Sequence, residues 1–270
     1  MATLFEPFAA EFMQRALIGG VIVGILSAVV GTWVVLRGMA FLGEAMSHGM
    51  LPGVAVAVLL GLPGQLGALV AAGAMAVGVG SLARSKRIAG DTAIGISFVG
   101  MLALGVLIVS ASRSVPINLT AILFGDILAM TWFDVLLIFV VALLVVIVFI
   151  LWYRPFVALT FDRRIAHTMG LRPGVALALL MAGVAVTIVV SYQAVGTLLV
   201  VGMLLAPAAT GAIWAKSVWQ ISVIGAVVSV VSVAVGLLVS WHLGLAAGPA
   251  IALLAVLFFG LSLGLKKIVG

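Results

Sequence analysis

Long apolar runs, each interrupted only briefly, constrain this chain more than any other feature. The run "WFDVLLIFVVALLVVIVFILWY" from Trp132 to Tyr153 carries Asp134 as its one charge. A helix needs about 20 apolar residues to cross a hydrocarbon core about 30 Å thick. Against that ruler the sequence predicts spans at 15–36, 41–61, 64–83, 92–111, 132–153, 174–191, 195–215, 218–240 and 245–265. The runs are continuous and lack the alternation of about ten-residue segments that barrel strands require. The expected fold class is therefore an all-α polytopic membrane protein, with residues 1–270 forming one transmembrane domain. The segment 113–131, with "INLTAILFGDIL", is apolar but short and reads as a half-helix or a re-entrant segment.

Composition agrees. Hydrophobic residues make up 66% of the chain and charged ones 7%, whereas soluble domains are roughly half apolar and about a quarter charged. The chain has no cysteine, so disulfides and thiolate metal ligands are excluded and any metal must be met by oxygen or nitrogen. The net charge of +6 does not mark a nucleic-acid binder, because the basic residues are scattered through short loops. Glu6, Pro7 and Glu11 precede Arg15, which is not the basic-then-apolar order of a cleaved signal peptide.

Eleven of the thirteen basic residues follow odd-numbered spans, and only Arg15 and Arg113 lie on the other side. The positive-inside rule then predicts an outside N-terminus, a cytosolic C-terminus and an odd number of spans. Trp132, Trp152, Tyr153, Trp214, Trp219 and Trp241 fall near span ends, as interfacial aromatics do. Gly20–Gly24, Gly49–Gly53 and Gly244–Gly248 have the GxxxG spacing of close helix packing. The longest cytosolic loop, 154–173, is long enough for a short helix, with Phe161, Ile165, Ala166 and Met169 at roughly helical spacing. It reads either as an interfacial helix or as a docking helix for a cytosolic partner.

Most acidic residues are expected at edges. Asp91 opens the fourth span and Asp134 the fifth, where the helix dipole favours a negative charge. Asp126 lies in the short outer segment, either exposed or lining a cavity. His167 and His242 fall in loops and read as surface residues. Glu44 and His48, in "GEAMSH", are different. If the second helix rises straight from Arg37, they lie ~10 and ~16 Å along it, near the bilayer middle. A lone charge there costs at least ~3 kcal/mol. Residues four apart share a helix face, so both side chains can meet one ligand. Ser47 is on a nearby face, and Pro52 removes a backbone donor and opens the helix locally. The pair either satisfies itself in a packed bundle or forms a functional site; carboxylate plus imidazole suits a divalent transition metal.

"VVLRGMAFLGEAMSHGMLPGVAVA" (34–57) resembles the signature of the permease subunits of bacterial ABC importers for manganese, zinc or iron, the ABC-3 type family. Phe41, Leu42, Gly43, Glu44, Ala45, Ser47, His48, Pro52 and Gly53 carry that block. Further blocks follow in order: "GDTAIGISF" (90–98) with Asp91 and Gly95, "LFGDIL" (123–128), "FDRRIAHTMG" (161–170) with Asp162, Ala166 and Gly170, and "SYQAVGTLLVVGMLLAPAATGAI" (191–213) with Gln193, Gly196, Pro207 and Thr210. The resemblance implies a type II importer fold similar to vitamin B12 and siderophore permeases. About nine spans with an outside N-terminus fit loss of the first span of those permeases, and eight is the alternative. It implies a homodimer in the bacterial cytoplasmic membrane. Two cytosolic ATPases would dock on the loop holding Asp162, Arg163, Ala166 and Gly170, and an extracellular or periplasmic binding protein would deliver the ion. Two positions depart from the family pattern: Glu44 stands where Asp is commoner, and Arg164 where an acid is common.

The resemblance makes Glu44 and His48 the metal pathway, with Ser47, Asp91 and Asp126 as a second tier. Pro52, Gln193, Gly196 and Pro207 would shape pathway and helix packing. No GxxxxGK[ST] phosphate loop is present, so the chain is not expected to be an enzyme, and ATP would be used by a separate subunit. No permanently bound cofactor is expected, and the metal ion is cargo. A secondary transporter using Glu44 and His48 as a proton relay is the alternative, and a non-transporting scaffold leaves the pair unexplained.

Overall fold

The computed structural model describes residues 6–82, 90–111, 125–161 and 163–269. They form helices α1 (Glu11–Leu36), α2 (Ala40–Gly49), α3 (Leu51–Leu59), α4 (Gly64–Leu82), α5 (Gly90–Ala111), α6 (Trp132–Leu151), α7 (Tyr153–Phe161), α8 (Arg163–Thr168), α9 (Pro173–Val195), α10 (Thr197–Trp214), α11 (Val218–Leu243) and α12 (Ala247–Val269). Two short 3-10 turns lie at Glu6–Ala9 and Ile127–Ala129. Among the described residues nine stretches are long and apolar enough to cross a membrane, with α2 and α3 together making one of them.

Each span expected from sequence has a helix, and the differences are local. The second span is interrupted: α2 stops at Gly49, Met50 intervenes and α3 starts at Leu51, with Pro52 in its first turn. Proline has no N–H to return to the carbonyl one turn back. Met50 still donates to Met46 and accepts from Val54, both at 3.1 Å, so the chain continues past the break. The loop 154–173 holds two short helices rather than one, because α7 begins at Tyr153 directly after α6. Of the segment 113–131, residues 113–124 lie outside the described residues; the rest contains the Ile127–Ala129 turn and leads into α6.

The chain divides into two compact units. The first comprises Met1–Val35, Thr120–Leu151 and Val190–Gly270. In it α10, α11 and α12 pack on one another. Helix α1 approaches α10 so closely that a β-carbon at Gly31 would overlap the Leu204 carbonyl oxygen. Lipid tails are as apolar as leucine, so helices associate in them through close packing and interhelical hydrogen bonds. Ser222 on α11 supplies one such bond, donating to Thr32 Oγ1 at 3.0 Å.

The second unit comprises Leu36–Leu119 and Trp152–Val189. Helices α2 to α5 pack together there, and α7 packs on α8. Helices α3 and α4 touch backbone to backbone: a β-carbon at Gly53 would strike the Gly67 carbonyl oxygen, and one at Gly67 would strike that of Gly53. The GxxxG pairs Gly20–Gly24 and Gly49–Gly53 thus do face neighbouring helices. Gly244 does not. It ends α11 in the left-handed region at φ 64°, with nothing close to it.

Several helix ends and buried hydroxyls are satisfied locally, whereas the buried hydroxyls of Ser27, Ser191 and Ser229 meet no partner. Thr131 Oγ1 accepts from Asp134 N at 3.2 Å and Thr131 N donates back to Asp134 Oδ2 at 2.9 Å, a reciprocal pair that caps α6. Ser217 Oγ accepts from Gln220 N at the start of α11. Within the helices, Thr32, Ser47, Thr187 and Thr210 each donate to the carbonyl four residues earlier, which removes an unpaired hydroxyl from an apolar interior.

Gly53→Val is expected to destabilise the detergent-solubilised protein by about 1–3 kcal/mol through overpacking. Gly73→Ala, where nothing lies within 4 Å, is expected to cost nothing measurable. Thermal unfolding followed by tryptophan fluorescence separates the two.

Candidate functional site

Helix α2 buries all but one stripe. Leu42, Met46 and Met50 are fully buried, and the small residues Gly43, Ala45, Ser47 and Gly49 are buried beside them. Phe41, Glu44 and His48 occupy the remaining face, one helical turn apart. His48 Nε2 lies 2.9 Å from Glu44 Oε1. Their side chains retain 27% and 46% of their exposure, respectively. An ionised carboxylate only accepts, so the bond requires a proton on Nε2. Helix α2 starts at Ala40, after a turn at Gly38 with φ 64°. Glu44 and His48 therefore lie ~6 and ~12 Å along α2, less than a helix rising from Arg37 would give.

Phe98 of α5 completes this face. Its ring stands edge-on to His48 at 6.0 Å between centroids and edge-on to Phe41 at 5.5 Å. Both distances lie in the favourable range for aromatic pairs. The ring therefore braces the imidazole beside Glu44. Sequence reasoning missed it: Phe98 ends the "GDTAIGISF" block, but an apolar residue on an apolar helix gives no signal of which neighbour it touches. Behind the pair, Pro52 rests on α5 at Gly105, where a β-carbon would lie 3.3 Å from the proline ring.

The other expected residues take separate places. Ser47 is 1% exposed and spends its hydroxyl on Gly43 O at 2.9 Å. Asp91 is exposed in the first turn of α5. Asp126 is exposed and its carboxylate accepts from Ala129 N at 3.2 Å, capping the 3-10 turn. Among the described residues no three His, Asp or Glu side chains come close enough to hold a metal ion. Glu44 and His48 thus stand as a pair, with no third such side chain beside them among the described residues. His167 and His242 are exposed, but they lie in the last turns of α8 and α11 rather than in loops.

Gln193 belongs to α9, and Gly196 joins α9 to α10 at φ 80° and ψ 154°, a conformation that disfavours any β-carbon. Pro207 is buried inside α10. In the loop segment Asp162 lies outside the described residues. Arg163 begins α8, Ala166 is fully buried, and Gly170 ends the helix at φ 71°. Leu171 N donates to Ala166 O and Gly170 N to His167 O, at 3.0 and 3.1 Å, the pair of bonds that closes a helix on a glycine. A groove of about 580 Å³ runs beside these turns, lined by Tyr153, Arg154, Val157, Phe161, Met169 and Leu171 among others. Phe161 and Met169 are 77% and 66% exposed at its edge, an apolar surface of the kind that marks an interaction site.

Comparison with known proteins bears on the chain as a whole. The profile of the ABC 3 transport family matches residues 9–266. The manganese import system permease protein ScaB of Streptococcus parasanguinis is 36% identical over 252 residues, covering 93% of this chain and 90% of that protein. The chelated iron transport system membrane protein YfeD of Yersinia pestis is 36% identical over 258 residues, covering 96% and 86%. The solved structure of PsaBC from Streptococcus pneumoniae in complex with Fab superposes with a TM-score of 0.81 at 33% identity, covering 97% of this chain and 94% of that one. A putative metal-chelate type ABC transporter in an inward-facing conformation gives 0.70 at 15% identity, covering 93% and 85%, which is a likeness of fold.

Phe98→Ala is expected to destabilise the detergent-solubilised protein by about 0.5–1.5 kcal/mol beyond the lost burial, the worth of an aromatic pair. Phe98→Tyr keeps the ring and is expected to stay near wild type. Thermal unfolding followed by tryptophan fluorescence checks both; equal stability in all three proteins would show that the ring does not brace His48.

Proposed function

The chain belongs to the ABC 3 transport family, and from that premise we propose that it is the membrane permease subunit of an ATP-driven importer for a divalent transition metal, with Glu44 and His48 as the way station for the ion. Relatives bearing the names of manganese and iron transport proteins support manganese(II) or iron(II) as cargo. Family membership favours this over the secondary transporter with a proton relay. The observation that carries the assignment of residues is the Glu44–His48 bond of 2.9 Å on the one open face of an otherwise buried membrane helix.

Without metal the two side chains satisfy each other. A divalent ion entering between them would be held by Glu44 Oε1 and His48 Nε2 together, with the neutral imidazole carrying its one proton on Nδ1; this oxygen and nitrogen ligand set suits manganese, iron and zinc. Two ligands hold an ion weakly. Transport favours this, because a pathway site must release what it takes. In our reading the permease works as a homodimer, and a second copy brings a second Glu44–His48 pair to the pathway. Ser47 and Asp126, whose side chains are engaged with the Gly43 and Ala129 backbone, contribute less than Asp91.

The protein is a multi-pass component of the bacterial cytoplasmic membrane. ATP hydrolysis belongs to partner subunits, since the chain has no phosphate loop. We place the N-terminus outside, the C-terminus in the cytosol and two ATPases on α7–α8, where Phe161 and Met169 offer apolar surface beside the groove. An external binding protein delivers the ion to the opposite side.

Glu44→Gln combined with His48→Ala is expected to abolish metal uptake in cells, read by elemental analysis, with membrane insertion unchanged on immunoblots of membrane fractions. Wild-type uptake in the double variant would remove the pair from the pathway. Phe161→Asp is expected to lose co-purification of the ATPase, and undiminished recovery of the complex would move the docking site elsewhere.

A further inference from the structure

Both ends of this transport reading fall within one compact unit, which holds α2 with its Glu44–His48 pair and the α7–α8 segment. A specific polar contact joins them. Arg37 Nη1 donates to the Leu159 carbonyl oxygen at 3.0 Å, a partly buried bond between residues 122 apart in sequence. Leu159 lies in the last turn of α7, where carbonyls have no helical N–H to accept from. The residue is 5% exposed, so water is a poor substitute partner. A guanidinium at that end also faces the negative pole of the helix dipole.

Along the chain, Arg37 shortly precedes the helix that carries the metal pair. It is followed by the tight turn at Gly38, and α2 begins at Ala40 with Leu42 N bonded to Met39 O at 2.9 Å. From there to Glu44 the path is a single stiff helix. On the other side, α7 runs into α8, which packs against it with Ala166 fully buried.

We propose that Arg37 is the positioning residue that couples the ATPase-docking helices to the metal pair. By holding the head of α2 to the end of α7, it transmits a displacement of α7–α8 to Glu44 and His48. The proposal rests on the reading of α7–α8 as docking helices and of Glu44 and His48 as the ion's way station. A charge serving only to orient the chain in the membrane would not need an acceptor on α7. A mere cap of α7 would be read as lost assembly rather than as lost coupling.

The test uses the permease–ATPase complex with its binding protein in sealed liposomes, with manganese(II) as the transported ion and both uptake and ATP hydrolysis measured. Arg37→Met is expected to keep the ATPase bound and ATP hydrolysis within about twofold, while uptake per ATP falls about tenfold. Arg37→Lys retains a donor and is expected to recover most of that ratio. An unchanged ratio in Arg37→Met overturns the proposal, as does a loss of uptake matched by an equal loss of bound ATPase. Because the chain has no cysteine, a second variant is clean: Arg37→Cys with Thr160→Cys, bridged by a short bis-thiosulfonate. Uptake per ATP is expected to be low before bridging, to recover after it and to fall again on reduction. Absence of recovery overturns the proposal, and failure of both variants to assemble assigns Arg37 to folding and overturns it too. Glu44→Gln in the same vesicles separates the two levels. Full uptake there removes the metal-pair reading, whereas lost uptake there with an unchanged ratio in Arg37→Met removes the coupling role alone.

Discussion

Hydrocarbon offers no hydrogen-bond partner, so a polar group carried into the membrane gains most when the chain itself meets it, and only a few buried hydroxyls, those of Ser27, Ser191 and Ser229, go without. Most are met within one helical turn. Thr32, Thr187 and Thr210 return their hydroxyls to their own backbone. The Glu44–His48 bond follows the same rule, but with a difference that matters for function. A hydroxyl bonded to a carbonyl has reached its best available state, whereas a carboxylate and an imidazole facing each other on an open stripe are, in the function proposed above, ready to exchange that bond for a divalent cation. The pair is satisfied within the chain and still partly exposed.

The helix that carries the pair is shaped for this. Gly43, Ala45, Ser47 and Gly49 let α2 sit close to its neighbours and leave Glu44 and His48 on the face that stays open. The interruption at Met50 and the proline that follows end α2 just past His48. Phe98 then holds the imidazole from α5. The pair is thus set by one short helix and one ring from a neighbour, and among the described residues no third His, Asp or Glu stands with it.

The departures from sequence expectation share a cause. Pattern reading assumes that one apolar run is one straight helix, and α2–α3 shows a run divided by a single residue. It also treats a glycine pair by spacing alone. Gly49–Gly53 packs against other helices while Gly244 ends one, because the outcome depends on what stands opposite. The loop 154–173 was legible as a place for a helix, but not as two helices, since α7 continues almost directly from a membrane span.

The sequence by itself determined that this chain is a helical membrane protein, where its spans lie, and that Glu44 and His48 share one helix face. Those conclusions follow from local quantities: the length of an apolar run, the cost of a buried charge and the period of a helix. Tertiary structure decided which aromatic ring braces His48, that Ser47 is turned into the packed side of its helix, and that Arg37 meets the Leu159 carbonyl. Contacts between residues 122 apart leave no periodicity to read. They arise only when two helices, each satisfied along its own backbone, come together with unpaired groups left at their ends.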